Sequence, residues 1–424
     1  MVFSDGLTFR FGFDMTGAFF AALSAVMFVL CAVFALSYTE HDTHRGRFFA
    51  LLSLTLVTLI GLGAAQNLLS FYLCFELLSL VSFPLVLHTG TPAARAASMK
   101  YLGFSVFGAS MALFGMLLLG GAVMAPFAEG GLSLPRDNTA TWAYLLIAAG
   151  FCCKAGLMPL SNWLPTAHPE APAPASALLS GVITKAGVLG LIRATYFVFG
   201  AEAVRGTFAQ TTLLILAMAT IFTGSMLAYK EQGLKKRLAF SSVSQLSYVV
   251  LGVMLLNPAG LSGALLQVLF HSCAKVGLFL CAGAIMHQAG LTRVGELTGL
   301  GKRMPVTMLC FGAFSLSLVG IPPLGGFFAK WRLAGGALAF GGDMGVIATV
   351  VLLVSALLTA GYLFPIVGNA FFAPADKPGS CEADARMTVP MGLLAAFALL
   401  FGAFPQPFVR LFDAIAAMLI GGAL

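Results

Sequence analysis

Apolar runs of about 20 residues recur along the whole chain, separated by short polar stretches rich in glycine, proline and charge. Wound as a helix, such a run matches the hydrocarbon thickness of a bilayer, because a helix rises about 1.5 Å per residue. The pattern predicts twelve spans, at approximately 15–38, 48–65, 69–88, 101–126, 141–165, 172–199, 209–229, 238–256, 261–288, 304–340, 345–372 and 388–404. The tenth is too long for one straight crossing and contains GIPPLGG at 320–326, so it reads as one broken span. The tail, 406–424, carries Arg410 and Asp413 and is expected to lie at the interface rather than to cross. The chain divides into an N-terminal segment and first helix (1–47), two five-span blocks (48–199 and 209–372), and a loop, last helix and tail (373–424).

Composition makes the membrane reading hard to avoid. The 424 residues are 59% hydrophobic and 9% charged, where soluble domains carry roughly 25% charged residues. The expected fold class is therefore an all-α polytopic membrane protein, solvated mainly by lipid. The N-terminus, MVFSDGLTFRFGFD, lacks the basic region and short apolar core of a cleavable signal peptide. Basic residues then orient the spans. Arg45, Arg47, Arg95, Lys100, Lys230, Lys235, Lys236, Arg237, Arg293, Lys302, Arg303, Lys377 and Arg386 fall on one side, and Arg10, Arg136, Arg205 and Arg410 on the other. That asymmetry places the first group in the cytoplasm and both termini outside. It also accounts for the net charge of +7 without nucleic acid as a partner, since no basic patch is interleaved with aromatics. Seven of the eight cysteines lie in apolar spans, only Cys381 falls in a loop, and none forms a CxxC pair. They read as small apolar fillers, with no metal site.

The two blocks share a motif. Gly156-Leu157-Met158-Pro159-Leu160 aligns with Gly320-Ile321-Pro322-Pro323-Leu324, with Trp163 matching Phe327. Each stretch lies in the fourth span of its block, and an odd number of spans per block makes the two blocks cross in opposite senses. That is the pattern of an inverted repeat, in which matching helix breaks mark an ion or substrate site. Pro159, Pro322 and Pro323 are the breakers; each removes a backbone donor and leaves carbonyls that need a partner from protein or water. Packing alone would explain one kink; two at matched positions, each near a lysine, point to function.

Charges inside spans sharpen the point, because they are costly in hydrocarbon and normally face a bundle interior or a wet cavity. Glu76 sits midway along span three, Lys154 just before the first break, and Lys185 at the centre of span six. His271 and Lys275 lie four residues apart on span nine, hence on one helix face, and Lys330 follows the second break. These types suit proton transfer. An ammonium removed from water loses part of its preference for the charged form, a neighbouring carboxylate restores it, and histidine can relay between the two. Arg193 and Arg332 lie nearer span ends and are expected to snorkel; His88 and His287 read as interfacial anchors. His168, in THPEAP, fits either a proton-uptake group or an ordinary loop histidine. Ser241, Ser244, Gln245 and Tyr248 follow helical spacing in span eight and would hold water along one face, or bind helices together.

Four segments, WLPTAHPEAPAPASALLSGVITKAGVLGLIR, FELLSL, FHSCAKVGLFLCAGAI and GIPPLGGFFAKW, together resemble the antiporter-like proton-translocating membrane subunits. That family occurs in complex I (respiratory NADH:quinone oxidoreductase), in Mrp-type cation/proton antiporters and in energy-converting hydrogenases. The likeness runs from about residue 10 to 405, and KAGLMPLSNWLPTAHPEAPAPASAL and GIPPLGGFFAKW look closest to the Mrp and hydrogenase branches. It implies that Glu76 and Lys154 form the family's ion pair and that Lys185 belongs to its central hydrophilic axis. It likewise implies that His271 and Lys275 link the half-channels, and that Lys330 is the terminal residue. The implied role is a proton-translocating subunit of a redox-driven complex in a bacterial or archaeal inner membrane, with other membrane subunits as partners. No flavin, quinone, nickel or iron–sulfur motif appears, so no cofactor is expected and any redox enzyme activity would belong to partners. The alternatives are an Mrp-type subunit exchanging sodium for protons, and a non-conducting structural paralogue. Family members commonly have fourteen core helices, so the chain is expected to start at their third.

Overall fold

The computed structural model describes residues 2–3, 7–374 and 379–421. Lys377, one of the basic loop residues, lies outside that range, as do parts of the first and last segments. Helices dominate: α1 Met15–Tyr38, α2 Arg45–Ala64, α3 Leu68–Val86, α4 Pro92–Leu119, α5 Asn138–Ala155, α6 Leu164–Glu170, α7 Ala173–Leu178, α8 Thr184–Ile192 and the short α9 Ala201–Val204. There follow α10 Phe208–Lys230, α11 Leu234–Met254, α12 Pro258–Ala289, α13 Pro305–Val319, α14 Gly325–Phe340, α15 Gly342–Phe372, α16 Ala385–Ala403 and α17 Gln406–Ile420. Two π-helical stretches, Leu179–Ile183 and Arg193–Phe199, join α7 to α8 and extend α8, so 173–199 runs as one continuous rod. A small antiparallel pair, Val2–Phe3 with Leu7–Thr8, precedes α1.

Side-chain caps start many of these helices. Asp14, Asn67, Thr91, Asp137, Thr207, Asn257 and Asp384 each accept a hydrogen bond from the backbone N–H three residues on. Such a bond satisfies one of the four donors that every helix start leaves open. Ten helices among the described residues are long and apolar enough to cross a membrane. The fifth and tenth expected spans are different. The run at 141–165 is not one helix: α5 ends at Ala155, and the chain turns before α6 begins at Leu164. The run at 304–340 divides into α13 and α14.

Both breaks use the same backbone device. Gly156 and Gly320 adopt left-handed conformations (φ 85° and 90°) that a side chain would strain. The next residue's N–H, from Leu157 or Ile321, returns to a carbonyl five positions back, Cys152 or Leu316. Cis peptides then precede Pro159 and Pro323, the positions aligned in the sequence.

Burial sorts the helices by role. The rods 173–199 and 258–289 are fully buried along their most apolar windows and α11 is 94% buried, whereas α1, α2, α4, α15 and α16 show between 33% and 44%. The outer helices turn large apolar side chains such as Leu117, Trp331, Leu357 and Phe372 outward, as lipid requires. The tail forms an amphipathic helix, α17, packed on α12. Small residues let the helices approach. A Cβ built on Gly150 would lie 2.3 Å from the Gly108 carbonyl oxygen, and one built on Gly115 would lie 2.6 Å from that of Ala143. Gly150→Leu should therefore separate α4 from α5 and destabilise the fold by about 1–3 kcal/mol or more. Thermal unfolding in detergent would show it, with Gly103→Leu, in open space, near wild type.

Candidate functional site

The α5 break puts Lys154 in the last turn of a helix whose side chain points into the bundle, 1% exposed. Its ammonium donates to the hydroxyls of Ser79 at 2.7 Å, Tyr101 at 2.9 Å and Ser105 at 3.3 Å. The Tyr101 ring centroid lies 4.8 Å away and that of Phe75 5.7 Å. An ammonium has three N–H donors, and here three neutral oxygens receive them. The expected ion pair with Glu76 is not formed: among the described residues no salt bridge joins the two. Half-buried Glu76 instead accepts from the Tyr72 hydroxyl at 3.0 Å. Ser79 stands three residues beyond Glu76 on α3, so the lysine sits one helical turn from the carboxylate.

Lys185 lies just beyond the first π-helical stretch. Its ammonium donates to the Ser180 carbonyl, which also accepts from the Thr184 hydroxyl at 3.1 Å, and it meets Nδ1 of His271 at 2.9 Å. Non-α turns of this kind are common at functional sites because they redirect backbone acceptors. A Cβ added at Gly187 would lie 3.1 Å from Lys154 Cβ, so the backbones carrying Lys154 and Lys185 touch. Lys275, one turn beyond His271, donates to the Leu238 carbonyl at 2.9 Å. All three of Lys185, His271 and Lys275 are at most 2% exposed.

Lys330 performs at the second break what Trp163 performs at the first. The Lys330 ammonium donates to the carbonyls of Leu318 and Val319, at 2.7 and 2.8 Å, in the last turn of α13. The Trp163 indole donates to the Cys153 carbonyl at 3.0 Å, in the last turn of α5. The lysine beside each break therefore does different work. Lys154 precedes its glycine and binds hydroxyls; Lys330 follows its glycine and caps freed carbonyls. Pro159, Pro322 and Pro323 all lie in these two turns.

Further polar side chains stand near His271 and near Lys330. Gln267, one turn before His271, donates to Gln245 at 2.8 Å. Tyr248, on the same face of α11 as Gln245, presents its ring 5.4 Å from the Lys330 ammonium. Nε2 of His271 and Nε2 of Gln245 are buried without a hydrogen-bond partner among the described residues. Gln267, Ser79, Tyr101, Ser105 and Ser180 are not legible in the sequence, because a hydroxyl or amide in a span gives no signal until a charge is seen beside it. Ser241 and Ser244 bind helices together, bonding to Tyr362 at 2.6 Å and to Ser225 at 2.8 Å.

Two other expectations change, those for Arg193 and Arg332. Arg193 does not snorkel: its side chain is 0% exposed and pairs with Asp14, between the rings of Phe127 and Phe197. Arg332 pairs with Asp413. His88 is held by Asp42 at 2.6 Å, and His168 stacks on Phe279 with centroids 4.6 Å apart.

Fold and site thus define a multi-pass membrane protein with a buried axis of basic side chains between two broken helices. Residues 65–359 match the family described as NADH:quinone oxidoreductase/Mrp antiporter, TM, and the chain belongs to that family. It is 34% identical over 416 residues to NADH-quinone oxidoreductase subunit N of Desulforudis audaxviator (strain MP104C), covering 91% of this chain and 82% of that one. It is 28% identical over 439 residues to F(420)H(2) dehydrogenase subunit N of Methanosarcina mazei, covering 99% and 86%. A chain of the solved Mrp complex from Dietzia sp. DQ12-45-1b matches with a TM-score of 0.88 at 25% identity, covering 99% and 86%.

Removing one Lys154 acceptor should be felt. Tyr101→Phe and Ser79→Ala are each expected to cost about 1–3 kcal/mol, read as a lowered unfolding midpoint. Wild-type stability in both would mean that other groups hold the ammonium.

Proposed function

We propose that the chain is the proton-translocating membrane subunit of a larger, redox-driven complex in a bacterial or archaeal cytoplasmic membrane. In this reading its basic loops face the cytoplasm, both termini lie outside, and 48–199 and 209–372 are inverted repeats. The observation that carries it is the row of buried groups from Lys154 through Lys185 and His271 to Lys330, each with a hydrogen-bonding neighbour. Buried basic groups in a span are expensive, and a succession of them is what a proton route needs.

The chemistry follows from the contacts. Lys154 rests on three neutral hydroxyls, with no carboxylate against it. Movement of α3 or α5 by about one turn, roughly 5 Å, would bring Glu76 to it and form the ion pair. Gly187 lets Lys154 pass beside α8, where the Lys185–His271 contact is the next link. Gln267, Gln245 and the ring of Tyr248 lead on to Lys330, with the two unpartnered nitrogens of His271 and Gln245 available to water. Lys275 adds a second basic side chain one turn from His271. The chain would supply the route, and neighbouring subunits the driving reaction.

The likeness to the Dietzia Mrp complex favours a second reading, in which the same axis exchanges sodium for protons without redox chemistry. The two separate cleanly, because only the second makes proton movement depend on sodium.

Lys154→Ala, Glu76→Ala and Lys185→Arg should each lower proton uptake by vesicles holding the assembled complex by at least about tenfold, equivalent to about 1.4 kcal/mol. Arginine is included because a guanidinium holds its proton throughout the working pH range. Wild-type uptake in correctly assembled variants would refute the route.

A further inference from the structure

Two arginine–aspartate pairs share an uncommon layout. In each, the arginine stands on a helix that also carries a lysine of the axis: Arg193 continues the rod of Lys185, and Arg332 lies two residues from Lys330. Each aspartate comes from outside the two five-span blocks. Asp14 is the N-cap of α1, and Asp413 belongs to α17.

Both pairs are built sites. Asp14 holds Arg193 with one carboxylate oxygen, which also accepts from Gln66 at 3.3 Å, while its other oxygen caps Gly17 N–H at 2.7 Å. Gly17 must be bare, since a Cβ there would lie 1.9 Å from the Gly63 carbonyl oxygen and 2.8 Å from the guanidinium. Asp413 holds Arg332 with one oxygen and accepts from the Ser262 hydroxyl of α12 at 2.5 Å with the other.

The two pairs are also joined. Phe19, one turn along α1 from Asp14, meets Phe412, the residue before Asp413, edge-to-face with centroids 4.7 Å apart. Phe412 stacks on Phe408, whose ring reaches Phe270, the neighbour of His271. α17 also touches the 193–199 stretch directly. A line of packed or ion-paired groups therefore runs Arg193–Asp14–α1–Phe19–Phe412–Asp413–Arg332.

We propose that the start of α1 and α17 form a clasp coupling the helix of Lys185 to the helix of Lys330, with Asp14 and Asp413 as its positioning residues. A shift of α14 that moves Lys330 off the Leu318 and Val319 carbonyls pulls Arg332, and through Asp413 and α17 it loads the π-helical end of the Lys185 rod. Ion pairs shielded in part from solvent suit such a link, because each holds one geometry and weakens when displaced. Resting on the reading of Lys185 and Lys330 as proton carriers, the clasp would keep the two ends of the axis in step.

The test is hydrogen exchange on the purified full chain, with proton uptake by the assembled complex alongside. Asp413→Asn should speed amide exchange about tenfold in 184–192, beyond the stretch that α17 touches, as well as in 325–340, and Asp14→Asn should do so in 325–340. Asp413→Glu, and the exchanged pair Arg332→Asp with Asp413→Arg, should return exchange to near wild type. Uptake should fall about tenfold with Asp413→Asn and recover with Asp413→Glu. Exchange changes confined to the mutated helix, or no recovery in the exchanged pair, overturn the clasp. Remote exchange with undiminished uptake, in complexes that Lys185→Ala silences, overturns its part in transport. Normal uptake with Lys185→Ala counts instead against the proton-carrier reading and leaves the exchange result standing.

Discussion

An ammonium or guanidinium inside a hydrocarbon slab must be met by oxygen, nitrogen or an aromatic face of the protein, because lipid offers none. Much of the architecture follows from that need. The most buried rods are the ones that carry Lys185, His271 and Lys275, and the lipid-facing helices form a sleeve around them. Backbone irregularities supply acceptors where side chains do not. The end of α13 hands two carbonyls to Lys330, and the π-helical stretch before Lys185 presents the Ser180 carbonyl. Hydroxyls fill the remaining gap around Lys154.

The same need explains why the helix breaks are tolerated. A proline that stops a helix in lipid leaves carbonyls whose exposure would cost several kcal/mol. At both breaks an internal donor arrives, the Trp163 indole in one and the Lys330 ammonium in the other. Duplicated backbone geometry thus supports two different electrostatic outcomes. The first break frees a lysine to bind neutral hydroxyls, and the second fixes a lysine on dipoles. An axis with unlike ends has a direction, which a symmetric pair of breaks would lack.

Much of the fold was legible in the sequence because lipid permits few solutions. Span positions, the paired Gly-Pro breaks and the charges inside spans all rest on local rules of length, hydropathy and proline chemistry. Partners were less legible. Glu76 and Lys154 invite an ion pair on the page, yet three hydroxyls from α3 and α4 already saturate the ammonium. Arg193 looked close enough to a span end to reach water, and instead it is sealed between Phe127 and Phe197 with Asp14. Nothing in the local sequence joins residues 14 and 193, or 332 and 413.

The sequence by itself therefore determined the membrane class, the approximate spans, the two breaks and the lysines and histidine placed inside spans. These are short-range matters, set by each segment's own free energy in lipid and by what proline and glycine do to a helix. Only the tertiary structure decided which acceptors each charge uses, that Gln267 and Gln245 pair, and that α1 and α17 hold two arginines from outside the two five-span blocks. Those outcomes depend on contacts among helices distant in sequence, where the cost of an unpartnered buried charge selects one packing arrangement over others of similar hydropathy.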